Sequence, residues 1–284
     1  MVFDLWRILG NDLPPRHPKG QTLKNLEYIL KHESQFGMVR KRWLLNRIAD
    51  NQTCIEIVSM LHAYDVQKEN IYHIPFFPSE FNNLPSAKEK LKYITNVNPA
   101  RNHCLDISFE QGVDVCCPED GGMFFRDDGF MQFRMFAEDH SEAGYFAFPT
   151  WRVDNLDTFL TDPPVLKSIY DFGTQRSIGL TELQLAFTPN HDKRFNEECM
   201  YGKADKVELL YRLGLLGLWD HWEPELRKNA VQDPSKFYGE VDMCGYICRL
   251  PSGNDEGDQH NLLRGSQRAE GLRNLLQQLE TVST

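Results

Sequence analysis

Two carboxylates follow a short apolar segment near the middle of the chain and are the residues best placed for chemistry. Residues 113–117 have the sequence VDVCC, and Pro118, Glu119, Asp120 and two glycines come directly after them. A carboxylate at the end of a buried strand can hold a divalent cation, which then acts as a Lewis acid toward phosphate oxygens. The glycines let a bulky ligand approach the backbone closely. The pattern therefore predicts a metal and phosphate site, although a solvated acidic turn explains it equally well.

A basic residue precedes this segment, near the start of a predicted helix. Arg101 and Asn102 lie in the sequence NPARNHC, one helix before the acidic pair. An arginine there can form charge-assisted hydrogen bonds with a phosphate group, and the helix N-terminus itself favours negative charge. We predict that both residues bind a nucleotide. An ordinary exposed arginine near a helix start is the alternative.

Polar residues also follow the first two predicted strands. Arg7, Asn11 and Asp12 surround the end of the first strand, and Asn46 and Arg47 lie at the end of the second. Side chains of these types can contact a base, a ribose or a phosphate. An Asn-Asp pair shortly before two adjacent prolines is equally natural in a turn that binds nothing.

Predicted strands and helices alternate through the first two thirds of the chain. Apolar residues recur with helical spacing in three segments, and short apolar runs lie between them. The predicted strands are 3–9, 41–48, 70–76 and 113–117, and the predicted helices are 22–33, 53–64 and 99–111. This alternation favours an α/β fold with parallel strands joined by helical crossovers. Because ligands of open sheets lie beyond the carboxyl ends of the strands, the polar residues above are expected to converge.

The last third of the chain is less regular. We predict strands at 145–155 and 183–187, a helix at 206–214 and a final helix near 265–280. No linker divides the chain clearly, so we predict one domain over residues 1–284.

Composition and charge limit the kinds of function. The 284 residues have a formal net charge of −10, which argues against a protein that binds a nucleic-acid duplex. No apolar run approaches the roughly 18 residues of a membrane span, and the opening residues are more typical of a strand than of a signal peptide. Seven cysteines without zinc-finger spacing favour reduced thiols. We expect a soluble, cytoplasmic protein, and its oligomeric state stays open.

Several stretches together resemble glycosyltransferases of the GT-A type, in particular a family-2-like group. They span most of the chain and include LWRILGNDLPPRHPKG, KRWLLNRI, NPARNHC, CCPEDGG, YFAFPTWRVDN and FNEECMYGKADKVELLYRLGLLGLWDHW. Small glycan-building transferases of large algal viruses are one similar set. The resemblance implies a GT-A fold, with a Rossmann-like, mostly parallel central sheet flanked by helices and an irregular C-terminal acceptor region. Residues 1–125 would bind the nucleotide sugar, and residues 126–284 would bind the acceptor and carry catalysis.

The same resemblance implies a reaction. Such enzymes move one sugar from a nucleotide diphosphate donor, here UDP- or GDP-type, to a hydroxyl of a glycan acceptor, with inversion at the anomeric carbon. A nucleotidyltransferase that makes the donor and a non-catalytic glycan- or nucleotide-binding module are the alternatives. An NAD-dependent Rossmann enzyme is excluded, because no Gly-x-Gly-x-x-Gly motif opens a helix after the first strand.

The metal motif of the family is only half present. The usual Asp-x-Asp corresponds here to Asp120-Gly121-Gly122, so the second carboxylate is missing. The resemblance makes Asp120 the main protein ligand of Mn²⁺ or Mg²⁺, hard cations that suit carboxylate and diphosphate oxygens. Glu119 or a distant residue would assist, and Glu119 would also contact the nucleotide sugar. His221 would complete the site as a late histidine does in several GT-A enzymes. A purely structural histidine is the alternative.

The family also places a general base at the start of a late helix, in a Gly-x-Glu-Asp pattern. The matching stretch here is Gly202-Lys203-Ala204-Asp205, so Asp205 would accept the acceptor proton. Capping of the following helix is the alternative role for Asp205. Asp127 and Asp128 are rival bases, unless they form a solvated pair that caps the next helix.

Three residues near the end of a predicted strand would face the acceptor. They are Trp151, Arg152 and Asp154. Trp151 can stack on a sugar ring, and a buried core tryptophan is the alternative.

Overall fold

The fold is known from a computed structural model. It describes residues 1–153, 156, 159–161, 170–171, 176–177, 183–202, 206–213, 245–252 and 261–282. The helices are α1 (Gln21–His32), α2 (Asn51–Ala63), α3 (Pro78–Asn83), α4 (Ala87–Thr95), α5 (Asn98–Glu110), α6 (Asp127–Asp139), α7 (Val207–Arg212) and α8 (Asn261–Val282). The strands are β1 (Phe3–Leu9), β2 (Val39–Asn46), β3 (Ile71–Ile74), β4 (Val115–Asp120), β5 (Met123–Phe124), β6 (Tyr145–Arg152), β7 (Tyr170–Asp171), β8 (Arg176–Ser177), β9 (Leu183–Phe187) and β10 (Ile247–Arg249).

Eight strands form one central sheet, in the order β3-β2-β1-β4-β9-β6-β10-β5. The first four strands in this order are parallel, and β10 is parallel to β6. β9 runs antiparallel to both of its neighbours, and β5 is antiparallel to β10. The predicted α/β class with a mostly parallel central sheet is therefore confirmed. The sheet takes strands from both predicted halves of the chain.

Helices cover both faces of this sheet, which explains why the residues of β1 and β9 are buried along the whole strand. On one face Trp6 of β1 packs in a cluster with Leu105 of α5 and Leu210 of α7. On the other face Phe3 packs with Phe133 of α6, and α1 and α2 cover the sheet beside it. Burial of one such aromatic side chain contributes about 1.5–3 kcal/mol.

The adjacent cysteines of β4 illustrate the alternation of side chains along a strand. Cys116 lies in the cluster that contains Trp6, and Cys117 lies in the cluster that contains Phe3. The two cysteines therefore fill the core on opposite faces of the sheet. The predicted end of this strand at residue 117 was wrong. β4 continues because Glu119 and Asp120 stay in register with Arg7 and Ile8 of β1.

The stretch between β3 and α5 is more regular than its sequence indicated. α4 begins after Ser86, whose hydroxyl accepts a hydrogen bond from the Glu89 amide at 3.2 Å. This contact satisfies one of the amides that a helix start leaves without an internal partner. None of the helices in the described part of the chain has the length and apolar character needed to span a bilayer.

Candidate functional site

A cleft of about 250 Å³ opens at the carboxyl ends of β1 and β4. Its walls are the loop after β1, the turn after β4 and the start of α5, together with later residues around Gly202 and Leu250. The order of the strands reverses between β1 and β4, because β2 and β3 lie to one side of β1 and β4 lies to the other. Ligands of open α/β sheets bind at such a switch point.

Among the described residues, the cleft is lined by more positive than negative side chains, in contrast to the charge of the full sequence. The charged residues known to line it are four cations and two carboxylates, namely Arg101, Lys206, Arg249, Arg268, Asp12 and Asp120. These residues sum to +2, whereas the full sequence has a formal net charge of −10. A concave region of opposite sign to the protein attracts an anionic ligand.

Asp120 and Arg101 form an ion pair in the wall of the cleft. The Nη2 atom of Arg101 donates to Oδ1 of Asp120 at 2.7 Å. Arg101 is almost fully buried and donates to Oδ1 of Asn98 at 2.8 Å, and its guanidinium lies over the Phe195 ring. The Asp120 side chain keeps 34 % of its surface exposed. Its carboxylate is therefore held in place by Arg101 and still accessible from the cleft.

Asp120 is the one predicted metal ligand that the structure describes, since His221 lies outside the described residues. In the part of the chain that is described, no three His, Cys, Asp or Glu side chains form a group able to hold a metal ion. Mg²⁺ in phosphate-binding sites often takes only one or two carboxylates from the protein and completes its shell with phosphate and water oxygens. Asp120 fits such a site as its carboxylate ligand.

Glu119 precedes Asp120 in β4 but does not line the cleft. It is 2 % exposed, and Oε1 has no hydrogen-bond partner within the described residues. Burial raises the pKa of the Glu119 carboxyl to about 7. The positive charge of Lys206 acts against this rise, and the negative charge of Asp120 adds to it. The structure does not bring Glu119 into the lining as a nucleotide contact.

Arg7 also lies outside the cleft lining. Its guanidinium is buried in an ion pair with Glu33, with 2.6 Å between Nη2 and Oε1. Its Nε atom donates to the carbonyl oxygen of Met123 at 2.6 Å. Lys41 approaches the second oxygen of Glu33 at 3.1 Å. The group therefore connects β1 with the end of α1, β2 and β5, so the role of Arg7 in this arrangement is structural.

Asn11 and Asn46 both line the cleft, whereas Arg47 does not. Asn11 donates to the carbonyl oxygen of Arg47 at 2.8 Å and accepts from the Ala49 amide at 2.9 Å. The Arg47 guanidinium lies over the ring of Tyr93. Asn46 donates to the Asn96 carbonyl at 3.3 Å, and its buried Oδ1 has no partner among the described residues. Asn46 was a predicted nucleotide contact, and its Oδ1 atom could accept a hydrogen bond from a nucleotide.

Asp12 lines the cleft and also caps α1 from a distance. Oδ2 accepts from the Gly20 amide at 2.7 Å, and Oδ1 accepts from the Thr22 amide at 3.0 Å and the Thr22 hydroxyl at 2.7 Å. Gly20 holds the N-cap position of α1 and has no side chain to cap the helix. Asp12 takes over because the turn after β1 brings its carboxylate to the first amides of the helix.

Asn102 connects α5 to a later segment instead of lining the cleft. Its Nδ2 atom donates to the Phe195 carbonyl at 2.9 Å and to Oε1 of Glu197 at 2.8 Å. Its Oδ1 atom accepts from the Phe195 amide at 3.1 Å. All polar atoms of the side chain are engaged in this contact.

The predicted general bases fall in two places. Asp127 and Asp128 form the first turn of α6 and do not line the cleft. Asp128 accepts from the Tyr246 hydroxyl at 2.6 Å and from Nε of Arg126 at 3.2 Å. Asp205 lies outside the described residues. The described residues closest to it in sequence, Gly202 and Lys206, both line the cleft.

The predicted acceptor residues lie at the end of β6, and Asp154 is outside the described residues. Trp151 is half-buried, with its ring 5.4 Å from that of Phe159 and 6.5 Å from that of Tyr246. Arg152 pairs in register with Arg249 of β10. Arg249 lines the cleft, whereas Trp151 and Arg152 do not.

Comparisons with known proteins find similarity among solved structures. No protein-family model matches the chain, and no curated protein sequence is similar to it. Its chain path is similar to the crystal structure of S. aureus TarS 1-349, with a TM-score of 0.37 and 11 % identity. The match covers 72 % of this chain and 53 % of that structure, so the chain spans about half of it. Similarity at this level does not extend to activity or substrate.

Three cations of the cleft were not among the residues predicted from sequence. Lys206 lies next to the predicted base and was counted only as the start of a helix. Arg249 is the last residue of β10, a short strand near one edge of the sheet. Arg268 lies on α8, more than 250 residues after β1 in the sequence, and only the tertiary fold brings it to the cleft. No local pattern distinguishes these side chains from solvated ones.

Proposed function

We propose that the protein is a glycosyltransferase of the GT-A type that takes a sugar from a nucleotide diphosphate donor. One observation carries the proposal: in a chain of net charge −10, the described residues that line the cleft at the strand-order reversal include four cations and two carboxylates. A nucleoside diphosphate is the kind of anion that such a position and charge suit. The sequence resemblance described above points to the same substrate class.

The donor is proposed to lie with its base toward the end of β2 and its phosphates toward Arg101. Asn46 supports the first part, since its Oδ1 atom has no partner among the described residues and can accept an N–H group of uracil or guanine. A buried acceptor without a partner costs about 1–3 kcal/mol, so a ligand that satisfies it is favoured. The choice between a UDP- and a GDP-type donor is left to experiment.

The proposed reaction is a single displacement. The oxygen of an acceptor hydroxyl forms a bond to the anomeric carbon, and the bond from that carbon to the phosphate oxygen breaks. The electron pair leaves with the nucleoside diphosphate, and the hydroxyl proton passes to the carboxylate of Asp205. Attack from the face opposite the diphosphate inverts the anomeric carbon. The assignment of Asp205 is supported by the cleft positions of Gly202 and Lys206.

A divalent cation is part of the proposal. Asp120 would hold Mn²⁺ or Mg²⁺ together with the donor's phosphate oxygens, and the ion would neutralise charge on the departing diphosphate. The accessible carboxylate of Asp120 supports this role. Arg101 supports it from the protein side, because it fixes the orientation of that carboxylate.

Nucleotide release from a panel of UDP- and GDP-sugars, measured with and without Mn²⁺, tests the proposal. We expect one sugar nucleotide to be hydrolysed slowly in the absence of acceptor, with faster release once a suitable glycan is added. A protein that neither binds nor turns over any member of the panel would contradict the glycosyltransferase assignment.

A binding module without catalysis is the second candidate. The observation that favours it is the Arg101–Asp120 ion pair, because it already neutralises the only predicted metal carboxylate in the cleft lining of the described residues. Tight binding of a nucleotide sugar with no release of nucleotide, with or without glycan and Mn²⁺, is the result expected of that candidate.

A further inference from the structure

We propose that Lys206 and Arg268 bind the diphosphate of the donor, so that the C-terminal helix α8 forms part of the donor site. The inference rests on the proposed function, because it assigns the residues that hold its substrate. Both side chains line the cleft. Lys206 lies just before α7 and Arg268 lies on α8, so two separate elements supply the two charges.

Arg268 lines the cleft, and part of its guanidinium has no hydrogen-bond partner within the described residues. Its Nη1 atom donates to the Gly202 carbonyl at 3.0 Å, and its guanidinium lies over the ring of Tyr201. The Nε atom is buried and has no hydrogen-bond partner in the part of the chain that is described. A buried guanidinium N–H without an acceptor is costly, and an anionic oxygen is its strongest partner.

Gly202 provides the space that Arg268 occupies. The φ angle of Gly202 is +73°, in the left-handed region, and a Cβ atom there would lie 2.3 Å from Cδ of Arg268. A residue with a side chain would meet both the strained backbone and the arginine. The glycine of the family-like GKAD segment is therefore explained here by its contact with α8.

Lys206 is fixed on another wall of the cleft. Its side chain is only 5 % exposed, and Nζ donates to Oε1 of Gln184 at 2.8 Å. Gln184 in turn donates to the Thr150 hydroxyl at 2.9 Å. Because a lysine ammonium has three donors, it can bind a phosphate oxygen while it keeps Gln184.

The packing of α8 determines where Arg268 lies. Gly271, one turn further along, packs on the loop after β1, where an added Cβ atom would lie 2.5 Å from the Leu13 carbonyl oxygen. Asn274 donates to the Pro14 carbonyl at 3.2 Å, and Lys90 of α4 pairs with Glu280 at 2.8 Å. Three contacts along the helix thus set the position of the arginine, which preorganises it for an anion.

Lys206 and Arg268 together are called the diphosphate clamp. Binding of UDP and of GDP, measured by titration calorimetry in EDTA, tests the clamp without any metal. The variants are Arg268→Gln and Lys206→Gln, and the matched control is Arg273→Gln, an exposed arginine on the same helix. We expect each cleft variant to bind the nucleoside diphosphate about ten-fold or more weakly than wild type, since each loses charge-assisted hydrogen bonds. The control is expected to bind like wild type.

The monophosphates UMP and GMP show whether the lost contact is to the diphosphate. Their affinity is expected to fall less than that of the diphosphates, and Arg268→Lys is expected to restore part of the diphosphate affinity. Circular dichroism and urea unfolding verify that each variant is folded. If Lys206→Gln does not fold, Arg268→Gln and Arg268→Lys still decide the matter. Equal diphosphate affinity in Arg268→Gln and Arg273→Gln would overturn the proposal.

Inorganic pyrophosphate separates this inference from the proposed function. If wild type binds pyrophosphate and Arg268→Gln does not, the clamp stands even when no sugar nucleotide is turned over. If sugar nucleotides are turned over and Arg268→Gln binds the donor normally, the clamp is overturned and the glycosyltransferase assignment stands. A wild-type protein that binds neither pyrophosphate nor a nucleoside diphosphate overturns both.

Discussion

Arg101 and Asp120 are joined by a hydrogen bond of 2.7 Å in the wall of the cleft, from Nη2 to Oδ1. The pair has two consequences for an anionic ligand. The arginine compensates the negative charge that would otherwise repel phosphates, and it holds the carboxylate in one orientation. A metal ion at Asp120, as proposed, would have to share the carboxylate with a guanidinium, and its affinity would then depend on the diphosphate oxygens that complete the site.

Replacement of Asp120 by asparagine tests this coupling. Asp120→Asn is expected to lose the part of donor binding that Mn²⁺ adds, and to lose transfer activity by about a hundred-fold or more, because the charge that holds the cation is gone. Binding measured in EDTA is expected to persist. Calorimetry with and without Mn²⁺ measures both parts, with Asp139→Asn, an exposed change on α6, as the control. If Mn²⁺ raises the donor affinity of Asp120→Asn as much as that of wild type, the metal assignment is contradicted.

Asp12 gives a prediction about stability. Its carboxylate accepts hydrogen bonds from the Gly20 amide and from both donors of Thr22. Asp12→Ala is expected to lower the free energy of unfolding by about 0.5–2 kcal/mol, the usual effect of removing a helix N-cap. The urea midpoint measures the effect, and Asp139→Ala, at the exposed end of α6, is expected to leave it unchanged. If the two variants unfold at the same midpoint, the Asp12 cap is not stabilising.

The buried Glu119 predicts how stability depends on pH. Its pKa of about 7 in the native state lies above the ordinary value of 4.5, mainly because of burial. The native state therefore holds this proton more tightly than the unfolded state between these values. The resulting stabilisation is complete below about pH 4.5 and is lost as the pH rises toward 7, on the order of 3 kcal/mol in total.

Glu119→Gln is expected to remove this component of the pH dependence. As the pH rises from 4.5 to 8, the unfolding free energy of the variant should increase relative to that of wild type. Urea unfolding at several pH values measures it, and the exposed Glu110→Gln is expected to stay parallel to wild type. Parallel curves for Glu119→Gln would show that Glu119 keeps an ordinary pKa.

The sequence predicted the sheet better than it predicted the site, and the reason is the range of the interactions. β1 and β9 were predicted with correct bounds, because short apolar runs between turns depend on local pattern. The role of Arg7 depends on a side chain that is distant in the sequence, and the role of Asp12 depends on backbone amides. Arg7 meets Glu33 across the sheet face, and Asp12 meets amides eight and ten residues later. The short sequence at the end of a strand does not identify either of these partners.

The charged residues of the cleft were even harder to predict from the sequence. Asp120 was found because an acidic residue after an apolar run has a recognisable sequence context. Arg268 has none, since it is one of several arginines on a polar helix, and its cleft position results from how α8 packs on the loop after β1. Packing of this kind depends on small residues at the contact, and a glycine in a helix does not reveal its partner in the sequence.

The two glycines of α8 allow that packing to be tested with a matched pair of substitutions. A Cβ atom at Gly271 would lie 2.5 Å from the Leu13 carbonyl oxygen, whereas a Cβ atom at Gly265 would meet nothing within 4 Å. Gly271→Ala is expected to displace α8 and to lower the free energy of unfolding by about 1–3 kcal/mol through overpacking. Gly265→Ala is expected to be neutral or to stabilise by up to about 1 kcal/mol, because alanine is the better helix former.

Donor binding distinguishes a local effect from a displaced helix. Because Leu13 and Arg268 both line the cleft, Gly271→Ala is expected to weaken binding of the nucleoside diphosphate as well as stability, while Gly265→Ala leaves binding unchanged. Urea unfolding and calorimetry on the same preparations measure the two effects. If Gly271→Ala destabilises the protein and still binds like wild type, α8 tolerates the shift without moving Arg268. If the two alanine variants are equally stable, α8 does not pack on Leu13 as described.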